Sequence, residues 1–82
     1  MTWITVKLFA SAREQAGEPF VRLPASPGLT VGKLRAELGK AHPSLIPILD
    51  KAAFAVNRRY VTDAEPLTPE DEVAVIPPVA GG

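Results

Sequence analysis

Only one stretch of this chain carries helical periodicity long enough to cover a sheet. After Thr30, which suits a helix N-cap, Val31, Leu34, Leu38 and Ala41 recur at three- and four-residue spacing and fall on one helix face. Lys33, Arg35, Glu37 and Lys40 take the other face and read as its solvent side. Gly39 weakens the helix by about 1 kcal/mol relative to alanine, Pro43 stops it, and 45–49 reads as one further short turn. A single helix of this length shields one face of a small sheet and no more. The rest of the chain must therefore supply strands that share that face.

It does. Residues 3–10, WITVKLFA, alternate, with Ile4, Val6 and Leu8 on one side and Trp3, Thr5, Lys7 and Phe9 on the other. The run 11–17, SAREQAG, breaks the alternation; Ser11 is placed to cap a short helical turn and Gly17 to end it. EPFVRL, 18–23, reads as a second strand whose Pro19 suits an edge, and Pro24, Pro27 and Gly28 then mark a loop. AAFAVN, 52–57, is a third strand ending on Asn57, a residue that tolerates the positive φ of a tight turn, and Tyr60 and Val61 form a short return strand. Thr68-Pro69-Glu70-Asp71 has the pattern of one helical turn, and EVAVI, 72–76, is the last strand. This order predicts an α+β fold: a β-grasp (ubiquitin-like) roll with a mixed sheet and one main helix, its apolar first and last strands lying parallel at the centre. The expected organisation is one domain over 1–78 and a projecting tail over 79–82.

The composition removes most chemistries. Nine basic and nine acidic residues give zero net charge, so nothing favours nucleic acid or an anionic membrane. The adjacent Arg58 and Arg59 read as a solvated turn. There is no cysteine, hence no disulfide, thiolate metal site or cysteine nucleophile. His42 stands alone, whereas zinc needs three or four ligands. No run approaches the ~18 apolar residues of a membrane span, and the N-terminus has no basic leader, so a cytoplasmic location is expected. SPGLTVGKL fails as a phosphate loop: its spacing is one residue short, and Leu34 stands where a magnesium-binding hydroxyl is required. Glu70, Asp71 and Glu72 read as a solvated turn, and Ser11, Ser26 and Ser44 have only one histidine to serve as base. The body offers no active site.

The end of the chain does. The sequence finishes VIPPVAGG. Pro77 and Pro78 cannot extend a sheet ladder, and they stiffen the last residues toward a polyproline conformation. Gly81 and Gly82 lack a β-carbon and can thread a channel that side chains would block. A carboxylate is then the only functional group delivered. Activated by ATP as an acyl-adenylate, it becomes open to attack by sulfur or nitrogen.

Three segments together, LFASAREQAG (8–17), VNRRYV (56–61) and PLTPEDEVAVIPPVAGG (66–82), resemble the molybdopterin synthase small-subunit family of ubiquitin-like sulfur carriers. The most specific parts are Val56-Asn57, Asp71-Glu72-Val73 and the Pro77-Pro78-Val79-x-Gly81-Gly82 ending. The resemblance implies that an E1-like adenylyltransferase consumes ATP to adenylate Gly82, and that a sulfur donor protein replaces AMP to leave a thiocarboxylate. It implies that Gly81 threads the tail into the large synthase subunit, where the sulfur attacks cyclic pyranopterin monophosphate. Two carriers deliver two sulfurs, so a heterotetramer is expected. The resemblance further implies a small subunit that binds no cofactor or metal and donates sulfur, with catalytic residues expected in the large subunit. Arg13, Tyr60 and Ile76 match partner-contact positions of the family; Phe9, on the outer face of the first strand, and Pro77 and Val79, near the end of the chain, are expected to join them as partner contacts. The same fold and ending also suit sulfur carriers for thiamine or tRNA thiolation, and a protein modifier joined through Gly82 to lysine. A plain binding module remains as a third alternative, in which deleting Gly81 and Gly82 changes nothing.

Overall fold

The computed structural model describes residues 2–78. The expected tail over 79–82, with Val79, Gly81 and Gly82, lies outside the described residues. Along the chain run β1 (Trp3–Leu8), α1 (Ala10–Ala16), β2 (Phe20–Pro24), α2 (Val31–Ala41), a 3-10 turn (Pro43–Leu45), α3 (Ile46–Leu49), β3 (Ala53–Val56), β4 (Arg59–Val61) and β5 (Val73–Ile76). One mixed sheet has the order β2-β1-β5-β3-β4. β1 and β5 pair in parallel and every other pair is antiparallel. The first and last strands thus lie side by side inside the sheet with neighbours on both sides, and β2 with its preceding proline lies at an edge, as the β-grasp pattern predicts.

One sheet face is covered. Ile4, Val6 and Leu8 of β1 join Val21, Leu23, Phe54, Val56, Val73 and Val75 in a single buried cluster with Ala12, Val31, Leu34, Leu38, Leu45 and Leu49 from the helical layer. Phe54, Ile4, Leu34, Leu38 and Leu45 are its largest fully buried side chains. Each stabilises the fold by roughly 1.5–3 kcal/mol relative to exposure.

The start of α2 satisfies its free backbone donors one by one. Val31 and Gly32 N–H donate to the carbonyls of Glu65 and Asp63 at 3.0 and 2.9 Å. Lys33 N–H donates to the Thr30 hydroxyl at 3.3 Å, and Leu34 N–H to the Thr30 carbonyl at 2.9 Å. Thr30 is the N-cap its sequence position suggested.

Three local readings are corrected. α1 begins at Ala10, with Phe9 rather than Ser11 at its N-cap, because Ala10 takes φ +49° and turns the chain sharply out of β1. Gly17 does end it, in the left-handed region at φ +78°. The segment 68–71 is a tight turn and not a helical one: its only backbone bond runs from Asp71 N–H to the Thr68 carbonyl, and the Asp71 side chain returns to Thr68 N–H at 2.8 Å. Arg35, expected on the solvent face of α2, is partly buried instead. Its guanidinium lies 4.7 Å from the Phe54 ring centre and donates to the carbonyls of Leu49 and Ala52 and to the Asp63 carboxylate. The Leu49 carbonyl, which ends α3, also accepts from Ala52 N–H at 3.4 Å, so the guanidinium adds a second donor there.

Candidate functional site

The second sheet face has no helix over it, and the strand register arranges its residues in rows. One row crosses all five strands as Phe20, Lys7, Ala74, Ala55 and Tyr60. Next to it Ile76 pairs with Ala53, and Phe9 comes directly after the Leu8–Val75 pair. Two alanines at the centre of a face bordered by large side chains leave a depression. The result is a concavity of about 390 Å³ with Ala55 and Ala74 on its floor and Phe9, Ile76 and Tyr60 around it. Lys7, Arg58 and Glu72 line its polar side. Phe9 is 47% exposed and Tyr60 72%, unusually open for side chains of that size.

Charge is confined to the rim. Lys7 Nζ and Glu72 Oε2 lie 2.6 Å apart, bridging β1 to the start of β5. The hydrogen bond and charge of Lys7 hold the Glu72 carboxyl below its usual range, and Arg58 adds to the effect. Both partners are exposed, so the pair orients the rim more than it stabilises the fold.

The strand under the groove is held by a clasp. The Asn57 amide donates to Asp71 Oδ1 at 2.9 Å, its side-chain oxygen accepts from Glu72 N–H at 3.0 Å, and its own N–H donates to the Glu72 carbonyl at 2.8 Å. Asp71 Oδ2 takes Thr68 N–H. The Asp71 carboxyl is held below its normal range, first by the Thr68 backbone donor and then by the Asn57 amide. The 56–57 and 71–73 segments, two of the most specific parts of the sequence pattern, are thus one hydrogen-bonded unit that sets where β5 begins.

Phe9, Tyr60 and Ile76 line the same concavity. Arg13 does not join them; it is exposed on α1 and does not line the concavity. Pro77 is buried where the chain leaves β5. Val79, Gly81 and Gly82 lie outside the described residues. Sequence reasoning missed Lys7, Ala55, Arg58, Glu72 and Ala74. Alternation in β1 puts Lys7 beside Phe9, and alternation in β5 puts Ala74 beside Ile76, so those two were within reach; Ala55 required the cross-strand register. Among the described residues no group of three or more His, Cys, Asp or Glu could hold a metal ion, and no helix is long and apolar enough to cross a membrane.

Comparison with known proteins gives four consistent findings. A family model described as the ThiS family matches residues 6–82. The molybdopterin synthase sulfur carrier subunit of Arabidopsis thaliana is 40% identical over 79 residues, covering 96% of this chain and 82% of that protein. Among solved structures, the small archaeal modifier protein 1 of Haloferax volcanii superposes with a TM-score of 0.84 at 30% identity, covering 96% of this chain and all of that one. A protein–protein complex of subunits 1 and 2 of molybdopterin-converting factor from Helicobacter pylori contains a chain similar to this one, with a TM-score of 0.70 at 26% identity over 98% of this chain and 99% of that chain.

Proposed function

This chain belongs to the ThiS family, and from that premise we propose that it is the sulfur carrier of molybdenum cofactor biosynthesis. The observation that carries the reading is the double role of β5. Ala74 and Ile76 line the exposed groove, and the same strand runs through the buried Pro77 toward Gly81-Gly82. A partner that seats itself on the groove therefore grips the strand that leads to the carboxylate. The large synthase subunit is the partner in view, supported by the likeness to one chain of the Helicobacter pylori subunit 1–subunit 2 complex.

The Gly82 carboxylate attacks the α-phosphorus of ATP on an E1-like adenylyltransferase, releasing pyrophosphate and leaving an acyl-adenylate. A persulfide on a sulfur donor protein displaces AMP, and a thiol then cleaves the resulting acyl disulfide, leaving the thiocarboxylate on Gly82 and a disulfide between that thiol and the donor cysteine. In the large subunit the thiocarboxylate sulfur attacks a carbon of cyclic pyranopterin monophosphate and displaces the oxygen it carries; water then hydrolyses the resulting thioester, leaving the sulfur on the pterin and freeing the Gly82 carboxylate for another round. The chain itself contributes a rigid docking face and the carboxylate.

Intact mass after incubation with ATP, the adenylating enzyme and a sulfur donor tests this. The expected result is a gain equal to exchange of one oxygen for sulfur, absent when Gly82 is deleted, with sulfur passed to the pterin precursor when the large subunit is added. No gain under conditions that thiolate a known carrier overturns the reading. The structural similarity to small archaeal modifier protein 1 favours a second use of the same acyl-adenylate, attack by a lysine amine to form an amide. Isopeptide-linked adducts ending in Gly82, with no thiocarboxylate, would establish that use in place of the first.

A further inference from the structure

Arg58 is an odd residue for its position. The β3–β4 hairpin closes through the two-residue turn Asn57-Arg58, with Val56 paired to Arg59, and both turn residues have positive φ, +51° and +70°. Such turns favour Asn followed by Gly, because a β-carbon at the second position is strained. Asn57 fits the rule and Arg58 does not. Strained backbone of this kind points to a task for the side chain.

That side chain lines the groove. Lys7 and Arg58 stand at the rim against the single carboxylate of Glu72. The Asp71 carboxylate is engaged by the Asn57 amide and Thr68 N–H and does not line the concavity. The rim therefore carries a surplus positive charge beside an apolar depression, on a chain whose net charge is zero.

We propose that Arg58, supported by Lys7, is a specificity-determining contact: the partner protein seats an apolar side chain over Ala55 and Ala74 and sets a carboxylate against this cationic rim. This rests on the carrier reading, with the large synthase subunit as the partner. A rim contact of this type governs association rate and salt dependence more than ultimate affinity. It selects an acidic docking surface, and a partner with a basic surface is repelled.

Arg58→Gly provides the test, because glycine suits a left-handed turn. Its thermal midpoint should equal or exceed that of the wild type. Its affinity for the large subunit at about 50 mM salt should fall roughly two- to fivefold, the range of a single exposed ion pair, chiefly through slower association. The difference should shrink toward none at about 0.5 M salt. Arg58→Asn, which also tolerates positive φ, should match it, and Arg58→Glu should lose about tenfold or more at low salt. Equal binding by wild type and Arg58→Gly with the same salt dependence overturns the inference. So does a fall in stability that tracks the fall in affinity, which would make Arg58 a purely structural residue. Absence of binding by the wild type overturns the carrier reading itself, and this inference with it.

Discussion

Replacing Asn57 with alanine probes the clasp directly. The change removes two hydrogen bonds, one donated to Asp71 Oδ1 at 2.9 Å and one accepted from Glu72 N–H at 3.0 Å. Both are exposed, so each contributes about 0.5–1 kcal/mol. Alanine must also hold φ +51°, at a cost of about 1 kcal/mol. The sum is about 2–3 kcal/mol, which for a domain of this size lowers the thermal midpoint by about 10–20 °C. Circular dichroism melts at pH 7 measure it. Asn57→Gly relieves the backbone and loses the same hydrogen bonds, so it should recover about 4–8 °C of the loss. A midpoint for Asn57→Ala within about 3 °C of wild type would refute the clasp, and equal melting of the two variants would refute the backbone part.

Wild type and Asn57→Ala should also differ in acid. Asp71 has a lowered pKa in the fold, caused first by Thr68 N–H and second by the Asn57 amide. A depressed carboxyl contributes its full stability above its unfolded pKa of about 3.9 and loses that contribution as pH falls through the lower folded value. Asn57→Ala removes the second cause, so less of this stability exists to be lost. The gap between the two midpoints should narrow between about pH 5 and pH 3; a gap that widens would show that Asn57 acts elsewhere. Phe9→Ala should weaken binding to the large subunit by about 5- to 30-fold while costing about 1 kcal/mol or less of stability, since the ring is half exposed and outside the core; titration calorimetry beside a thermal melt reads both, and equal losses would place Phe9 in the core. The two glycines of α2 should respond to alanine with opposite signs in thermal melts. A β-carbon at Gly32 lies 3.3 Å from the Asp63 carbonyl oxygen, backbone already fixed by the Gly32 N–H bond, so Gly32→Ala lowers the midpoint. At Gly39 the neighbour is Ile46 Cγ1 at 3.2 Å on a half-exposed side chain that can shift, so the gain in helix propensity, up to about 1 kcal/mol, wins and Gly39→Ala raises it.

What the sequence revealed and what it hid divide along physical lines. Period-two alternation in β1 and β5 and the stripe Val31, Leu34, Leu38 report burial, and burial decided the layers, the central strands and the exposed position of Phe9. Side-chain identity near a turn is a weaker guide. Arg35 has the spacing of a solvent residue, yet its long apolar stem lets it lie across Phe54 and reach the carbonyls of Leu49 and Ala52, contacts 14 and 17 residues away. Ser11 looked like a cap because serine often is one; the left-handed Ala10 had already started the helix. Ala55 carries no such signal, and only the register across β5, β3 and β4 sets it beside Ala74 as a floor.

The chain's most specific motif residues lie in two groups, one at the Asn57 turn and the start of β5, the other at the end of the sequence. The clasp explains why a carrier would need both. Pairing by itself leaves a four-residue strand free to slip, and a one-residue slip of β5 would move Ala74 and Ile76 from the groove into the core face. Asn57 blocks that slip by holding the Asp71 side chain and the Glu72 backbone at once, while buried Pro77 fixes the other end. Lys7 adds a tie to the neighbouring strand through Glu72. Register at the clasp thus sets the groove floor and, at the far end of β5, the point from which the chain departs toward Gly81-Gly82. On the proposed carrier reading, a partner that measures the distance from groove to carboxylate would depend on that register, and the hydrogen bonds of Asn57 would then serve sulfur delivery although they lie far along the chain from Gly82.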